Sequence, residues 1–350
     1  MNNVLITGSS GLIGSESVKF YCDKRYKVTG LDNDMRKYFF GNDASTEWNR
    51  KILENKYPEN FHHLNIDIRD NVQIENLFAD TKFDLIIHSA GQPSHDWAAK
   101  DPFTDFTINA NGTLTLLENY RKYCPKAVFI FTSTNKVYGD SPNSIAFTEK
   151  STRFDLSEYD YFYNGIDESM SIDNSMHSLF GVSKLSADIL TQEYGKYFGL
   201  NTGIFRCGCI TGPAHSAVQL HGFLAYLVYC IIKGKKYTIF GYKGKQVRDN
   251  IHSYDLANAF DYFFKNPKKG CVYNMGGSRY SNISIKEAIA EIERLTGKKA
   301  NIEYNDNPRI GDHIWYISNI SKFKSSYPDW DYKYDIHQIL DELCGSMLCE

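Results

Sequence analysis

Val4-Leu5-Ile6-Thr7-Gly8-Ser9-Ser10-Gly11-Leu12-Ile13-Gly14 is the stretch that decides the fold. The apolar run at its head reads as a short buried strand, and Gly14–Lys24 behind it reads as a helix. Between them the glycines have separate tasks. Gly8 permits the tight turn, Gly11 lets backbone lie against a pyrophosphate, and Gly14 lets helix and strand pack closely. The backbone of Leu12 and Ile13 opens the helix, whose first N–H groups carry a partial positive charge suited to phosphate. A glycine triplet alone is weak evidence, so its surroundings matter. Lys27–Leu31 reads as the second strand, and Asp32 closes it 18 residues beyond Gly14. A carboxylate there accepts hydrogen bonds from both ribose hydroxyls of a dinucleotide and repels a 2′-phosphate. Asn33, not a basic side chain, comes next; Arg36 and Lys37 are close by. The pattern predicts NAD, with NADP and a glycine turn without ligand as the alternatives.

Outward from this point, short β-branched runs alternate with helical patterns for about the first 210 residues, the signature of a parallel sheet covered on both faces. Further strands are expected at His62–Asn65, Leu85–His88, Val128–Thr132 and Thr202–Arg206, and helices at Phe103–Tyr123 and Gly181–Phe198. Asn65-Ile66-Asp67-Ile68 follows the third strand, where Asp67 can meet an adenine amino group. His88-Ser89-Ala90-Gly91-Gln92 follows the fourth, where small residues let backbone lie against a cofactor. The long connection Asp34–Asn60 is expected to cap the adenosine end, and the irregular, aromatic-rich Ser141–Ser178 to form a lid. After Thr211-Gly212-Pro213 the alternation stops. Gly222–Lys233 and Ile285–Thr296 then read as helices and Tyr237–Phe240 as a strand, while Cys344–Glu350 reads as a frayed tail. The fold class is therefore α/β. A Rossmann doubly wound parallel sheet over 1–212 precedes a smaller mixed α/β substrate domain over 213–350, with part of the chain allowed to cross back.

Composition narrows the function. A formal net charge of −3 offers no electrostatic footprint for nucleic acid or an anionic membrane. No run approaches the roughly 20 apolar residues of a membrane-spanning helix. The start goes directly into a strand pattern, without the basic and apolar regions of a secretory signal. The eight cysteines, Cys22, Cys124, Cys207, Cys209, Cys230, Cys271, Cys344 and Cys349, lack paired metal-ligand spacing. Reduced thiols, no metal and a cytoplasmic location are the expectation.

Thr7–Gly14, Asp32, Asp67–Asp70 (Asp-x-Arg-Asp), His88–Gln92, Asn109–Thr113 (Asn-x-x-Gly-Thr) and Ser133–Asp140 (Ser-Thr-Asn-Lys-Val-Tyr-Gly-Asp) succeed one another in the order of an extended short-chain dehydrogenase/reductase. Over nearly its whole length the chain resembles the NAD-dependent epimerase/dehydratase family, and within it the CDP-sugar 2-epimerase branch. The resemblance implies a cofactor site of Gly8, Gly11, Leu12, Ile13, Gly14, Asp32, Asn33, Asp67, Ile68, Ser89, Ala90, Gly91, Gln92, Asn109, Thr132 and Lys184. In that family a Ser or Thr, a Tyr and a Lys carry the proton transfer; the Lys holds the nicotinamide ribose and lowers the Tyr pKa. Thr134 matches the first and Lys184 the last.

The Tyr position, four residues before Lys184, is Phe180. Phenylalanine has no ionisable proton, and loss of a general base costs about 10²–10⁴ in rate. Three readings stand open: another side chain serves in its place, the Phe is a substitution that traps a complex, or the protein binds without turnover. Cys207 and Cys209 are replacement candidates, because a thiol beside a lysine or a helix N-terminus can ionise near neutrality. Inert buried thiols are the plainer alternative. Glu168, Tyr163 and His177 are further candidates.

On the substrate side the resemblance implies Thr134, Asn135, Lys136, Cys209 (where the family carries Asn), Thr211 (where it carries Tyr), Arg248 and Arg309. A guanidinium fork suits two phosphoryl groups, so the two arginines point to a nucleoside diphosphate sugar in the cleft facing the C-terminal domain. Similar 4,6-dehydratases follow the catalytic Thr with an Asp-Glu pair; Asn135-Lys136 stands here, which disfavours elimination. An epimerase using transient oxidation is expected, with a non-redox binder, a decarboxylase and a reductase as alternatives. A homodimer pairing through Phe103–Tyr123 and Gly181–Phe198 is implied by the resemblance.

Overall fold

The central sheet has seven strands: β1 Asn3–Thr7, β2 Lys27–Leu31, β3 Phe61–Leu64, β4 Leu85–His88, β5 Val128–Thr134, β6 Asn201–Cys207 and β7 Cys271–Met275. A computed structural model describes residues 2–215, 222–309 and 311–348 of the chain. The strands lie in the order β7-β6-β5-β4-β1-β2-β3. β1 runs parallel to both β2 and β4, β2 to β3, and β4 to β5. Continuous apolar runs are what a sheet covered on both faces requires, and Val4, Leu5, Ile6, Ile86 and Ile87 are fully buried. The strand order reverses between β1 and β4, which places the ends of Thr7 and His88 side by side. That is where an open α/β sheet offers its ligand crevice.

The chain forms two compact units. The first comprises Met1–Thr134, Leu179–Arg206 and Leu256–Tyr273; the second comprises Asn135–Ser178, Cys207–Asp255 and Asn274–Glu350. The sequence reading drew one boundary at 212 and allowed a crossing back. The structure interleaves the segments, and 256–273 brings a helix and β7 back to the first unit.

In the first unit, Leu5, Leu116, Tyr120, Phe129, Phe131 and Ile204 belong to one apolar cluster. In the second, Val247–His252 pairs with Asn282–Ser284 (antiparallel), and with Trp315–Tyr316 and Cys209–Thr211 (parallel). Lys236–Phe240 pairs with Asn301–Asn305. The helix Ile285–Thr296 has the bounds expected from sequence. Ser284 Oγ accepts the Glu287 N–H at 3.1 Å, Glu287 returns a bond to the Ser284 N–H at 3.0 Å, and Gly297 ends the helix at φ +67.

The connection Asp34–Asn60 contains helices at Met35–Phe40 and Glu47–Lys56. One expectation needs correction. The presumed tail is helical from Ile336 to Leu348, with Leu343 and Cys344 buried in the second unit's apolar cluster; Cys349 and Glu350 lie outside the described residues.

Candidate dinucleotide and catalytic site

Gly8 takes φ +68, and a Cβ there would come within 2.8 Å of the Ala90 nitrogen. A Cβ on Gly14 would lie 2.0 Å from the Gly8 carbonyl oxygen. Both positions are closed by backbone, so only glycine fits. Gly11 differs: at φ −75 its added Cβ would meet only the Gly8 oxygen, at 3.4 Å, and otherwise open space. Leu12 begins the helix, and the buried Ser10 hydroxyl has no hydrogen-bond partner among the described residues. Asp32 sits across the turn. Its Oδ2 accepts the Ser10 N–H at 2.9 Å and its Oδ1 the Asp34 N–H at 2.9 Å. Burial raises this carboxyl and the two N–H donors pull it back. Asn33 donates to Asp67 at 3.2 Å, and Arg69 grips the same carboxylate at 2.6 Å, which holds Asp67 ionised below its ordinary value against the effect of its burial. Ile68 is buried beside Gly112, where a Cβ would stand 2.7 Å from it.

The loop after β4 is fixed by side chains. Ser89 Oγ donates to the Thr7 carbonyl at 2.7 Å, and the Ala90 N–H donates to Thr7 Oγ1 at 3.2 Å. His88 is wedged between two threonines, with Nδ1 2.7 Å from Thr7 Oγ1 and Nε2 2.9 Å from Thr113 Oγ1. Thr113 spends its own proton on the Asn109 carbonyl at 2.6 Å, so Nε2 carries the imidazole hydrogen. Burial, then the nearby Lys184 charge, lower His88 to about 3 and keep it neutral. A wide π-type turn at Thr107–Asn111 interrupts the helical stretch of 102–123 and presents Asn109. Asn109 Oδ1 accepts the Gln92 N–H at 2.9 Å, while its Nδ2 donates to the Gln92 carbonyl at 3.1 Å and to Ser183 Oγ at 3.0 Å. Gln92 donates to Asp105 at 2.7 Å and accepts the Ser94 N–H at 2.5 Å. Gly91 is exposed beside this network.

The helix Ser178–Phe198 carries Phe180 and Lys184. A buried bidentate pair holds it. Arg206 on β6 donates to both Asp188 oxygens at 3.0 Å, and Ser133 Oγ on β5 adds a bond of 2.6 Å. Lys184 Nζ donates to the Thr132 carbonyl at 2.8 Å and lies 4.2 Å from the Phe131 ring centre. Thr132 Oγ1 donates to the His88 carbonyl at 2.9 Å, and Thr134 ends β5 half-buried. Phe180 is buried, and its ring meets the half-buried His95 ring edge to face, 5.0 Å apart. Sequence reasoning passed over His95. Its one cue was position, three residues beyond Gln92 in the same run.

The second unit gathers the other candidates. Lys136 Nζ donates to the Gly311 carbonyl at 2.7 Å, and burial lowers it to about 8. Asn135 is buried next to it in sequence. Arg248 Nη1 donates to its own residue's neighbour, the Val247 carbonyl, at 2.8 Å, with Asp312 at 3.7 Å from Nη2. Arg309 lies against the Phe240 ring at 5.8 Å, and Thr211 Oγ1 donates to Asn250 at 3.4 Å.

Of the two readings of the thiols, burial favours the inert one at Cys209. Burial pushes Cys209 up to about 11, and Arg248 and Lys136 recover only part of that. Cys207 is a buried residue at the end of β6. The other candidates each make a contact of their own within the second unit. Glu168 accepts the Asn274 N–H at 2.6 Å and is raised by burial. Tyr163 lies under the Arg279 guanidinium at 4.2 Å. His177 Nε2 bonds the Ile172 carbonyl at 2.7 Å.

A glycine turn, a carboxylate just past the end of the second strand and a buried lysine on the helix behind the sheet define a dinucleotide-dependent Rossmann protein. The chain belongs to the NAD-dependent epimerase/dehydratase family, whose pattern spans residues 4–276. It is 30% identical over 338 residues to a CDP-paratose 2-epimerase of Salmonella typhi, covering 94% of each chain. It is 29% identical to a dTDP-glucose 4,6-dehydratase of Escherichia coli, over 92% of this chain and 87% of that protein. A solved dTDP-glucose 4,6-dehydratase of Bacillus anthracis str. Ames, in complex with NAD, superposes with a TM-score of 0.77 at 25% identity, covering 100% of this chain and 97% of that one. Epimerases and dehydratases both stand among these relatives.

Proposed function

We propose that this protein is an NAD-dependent nucleotide-sugar epimerase that oxidises its sugar transiently and reduces it again on the other face. The observation that carries this over the dehydratase reading is Lys136. An amine donating to the Gly311 carbonyl stands where a dehydratase would need a carboxylic acid.

The residues of the first unit fit NAD. The space over Gly11 and the orphan Ser10 hydroxyl suit a pyrophosphate, and Asp32 keeps lone pairs for ribose hydroxyls. Asp67 and Ile68 would hold the adenine end; Ser89, Ala90, Gly91, Gln92 and Asn109 would line the middle; Thr132 and Lys184 would set the nicotinamide ribose. NAD supplies a reversible two-electron acceptor when bound. Thr134 would orient the reacting hydroxyl, and Lys184 would contribute positive charge beside it. Arg248 and Arg309 would bind the diphosphate of the sugar nucleotide, with Lys136, Asn135, Cys209 and Thr211 as its neighbours.

We also propose a homodimer. On 103–123 and 179–198 the first unit exposes Phe103 (86%), Leu114 (39%), Leu179 (48%), Val182 (43%), Ile189 (41%) and Tyr197 (80%), an apolar face suited to a second copy.

The test is absorbance at the NADH band when CDP-, UDP-, GDP- and dTDP-sugars are added to holoprotein, with NMR of the sugar in parallel. Transient reduction followed by an inverted sugar, with no deuterium taken from solvent at the inverted carbon, is expected. Phe180 favours a second reading, a protein that binds both ligands without turnover. A sugar that binds and never reduces the cofactor would establish it.

A further inference from the structure

We propose that His95 stands in for the missing phenol and exchanges the proton of the reacting sugar hydroxyl. The inference rests on the oxidation–reduction reading above. Three observations carry it. The His95 ring lies edge to face against Phe180, the residue at the tyrosine position, with centroids 5.0 Å apart. Its ring is half-buried, so a substrate can reach it, whereas Phe180 itself is buried. The loop that bears it is tied to the helix that bears Phe180: Gln92 fixes Ser94, Asn109 bonds both Gln92 and Ser183, and Ser183 Oγ returns to the Phe180 carbonyl at 3.1 Å. The backbone of the loop that bears His95 and the helix turn that bears Phe180 are thus joined by one hydrogen-bonded assembly, which fixes the two positions relative to each other, the preorganisation a proton-transfer group needs.

The buried His88, at the end of β4 just before this loop, has both nitrogens committed to threonines. In the proposed step a neutral His95 nitrogen takes the hydroxyl proton while the carbon's hydrogen leaves with its electron pair for NAD⁺. The sugar becomes a ketone and His95 an imidazolium. Return of that hydrogen and electron pair to the opposite face draws the proton back from His95 to oxygen. Protons, electrons and NAD⁺ are all restored.

The experiment compares NAD-loaded parent, His95→Gln, Phe180→Tyr and the double variant, mixed with the nucleotide sugars above and read at the NADH band. We expect His95→Gln alone to lose about 10²-fold in rate, and the same change on the Phe180→Tyr background to cost no more than a few-fold. Added imidazole should restore part of the rate to His95→Ala. NAD content and the urea midpoint should be equal across the set. The His95 ring resonance, assigned by its loss in His95→Gln, should move when the sugar nucleotide binds. Equal losses on both backgrounds would mark a structural histidine and overturn the proposal, as would an unchanged rate in His95→Gln or an unmoved resonance. Turnover by Phe180→Tyr with none by the parent would also overturn it while sparing the site. No reduction by either protein would overturn the epimerase reading itself.

Discussion

Alanine at Gly11 and alanine at Gly14 should fail in opposite ways, although both glycines belong to one motif. At Gly14 the new methyl would sit 2.0 Å from the Gly8 oxygen, 2.6 Å from the Gly8 carbonyl carbon and 2.7 Å from Ser9 Cα. All three are backbone, so helix and strand must part. Overpacking costs about 1–3 kcal/mol where side chains can give way, so the cost here is about 3 kcal/mol or more. At Gly11 the methyl meets one atom at 3.4 Å, and φ −75 with ψ 177 is open to any residue. Reduced freedom of the unfolded chain contributes about 0.4–1 kcal/mol, and loss of a glycine N-cap costs a similar amount, so stability should hardly change. The methyl instead occupies the approach to the turn. If it removes one charge-assisted phosphate bond of about 1.5–3 kcal/mol, NAD affinity falls about 10–150-fold. Urea unfolding and calorimetric titration with NAD measure the two effects. A Gly11→Ala protein that binds NAD as tightly as the parent would refute the placement of the pyrophosphate, and a fully stable Gly14→Ala protein would refute the packing argument.

Val182→Asp with Ile189→Asp places charges on the apolar face of 179–198; light scattering should show monomers, and an unaltered assembly would move the interface elsewhere. Asp249 is wholly buried and raised by burial to about 6 despite N–H bonds from Ser318 and Ser278. The folded protein then holds a proton that the unfolded chain has released between pH 3.8 and about 6, so this group's contribution to stability falls as pH rises through that window and is level above it. Asp249→Asn should remove up to about 1.4 kcal/mol per pH unit of that fall, read from urea midpoints at pH 4, 5 and 6; an unchanged slope would show that Asp249 ionises normally. Lys184→Met should leave stability unchanged or raise it by about 1–2 kcal/mol while cutting NADH formation about 10²-fold. A variant that merely unfolds would make Lys184 structural.

What the sequence made legible was local. The turn Gly8–Gly14 and Asp32 could be read because each residue's task is set by neighbours within one strand–turn–helix unit. The helix Ile285–Thr296 could be read end to end because Ser284, Glu287 and Gly297 are punctuation. The helices within 34–60 were not legible, because their geometry depends on Asp34. That residue sits at φ +52 and accepts bonds from Ser45 at 2.6 Å and Thr46 at 2.9 Å, ties made only once the loop has closed. Cys209 was partly legible for a related reason: its place in the motif order was visible, and the burial that pushes its thiol up was not. His95 carried no signal of its own in the sequence, because only the fold brings it against Phe180.

The arrangement around Lys184 bears on whether the absent phenol means absent chemistry. Lys184 and Asp105 are both buried in the first unit, and the lysine charge reaches its neighbours: it adds to the burial that depresses His88 and, after hydrogen bonds from Ser183 and Gln92, offsets part of the burial that raises Asp105. Buried polar groups of this kind can often be replaced by apolar ones with no loss of stability, or a gain. A protein that only held NAD would need the loop network of Gln92 and Asn109, since that network shapes the cofactor's surroundings. The Lys184 ammonium, donating to the Thr132 carbonyl two residues before Thr134 ends β5, would serve both a binding protein, by holding the nicotinamide ribose, and an enzyme, by lying beside the reacting hydroxyl. Developing negative charge on a sugar oxygen is stabilised by a fixed cation whichever side chain takes the proton, so the absent phenol leaves that part of the chemistry in place. Lys184→Met therefore separates the two readings by what it spares: a variant that keeps its NAD and loses NADH formation marks a lysine used in turnover by a different base, and one that only loses its NAD marks a binding site.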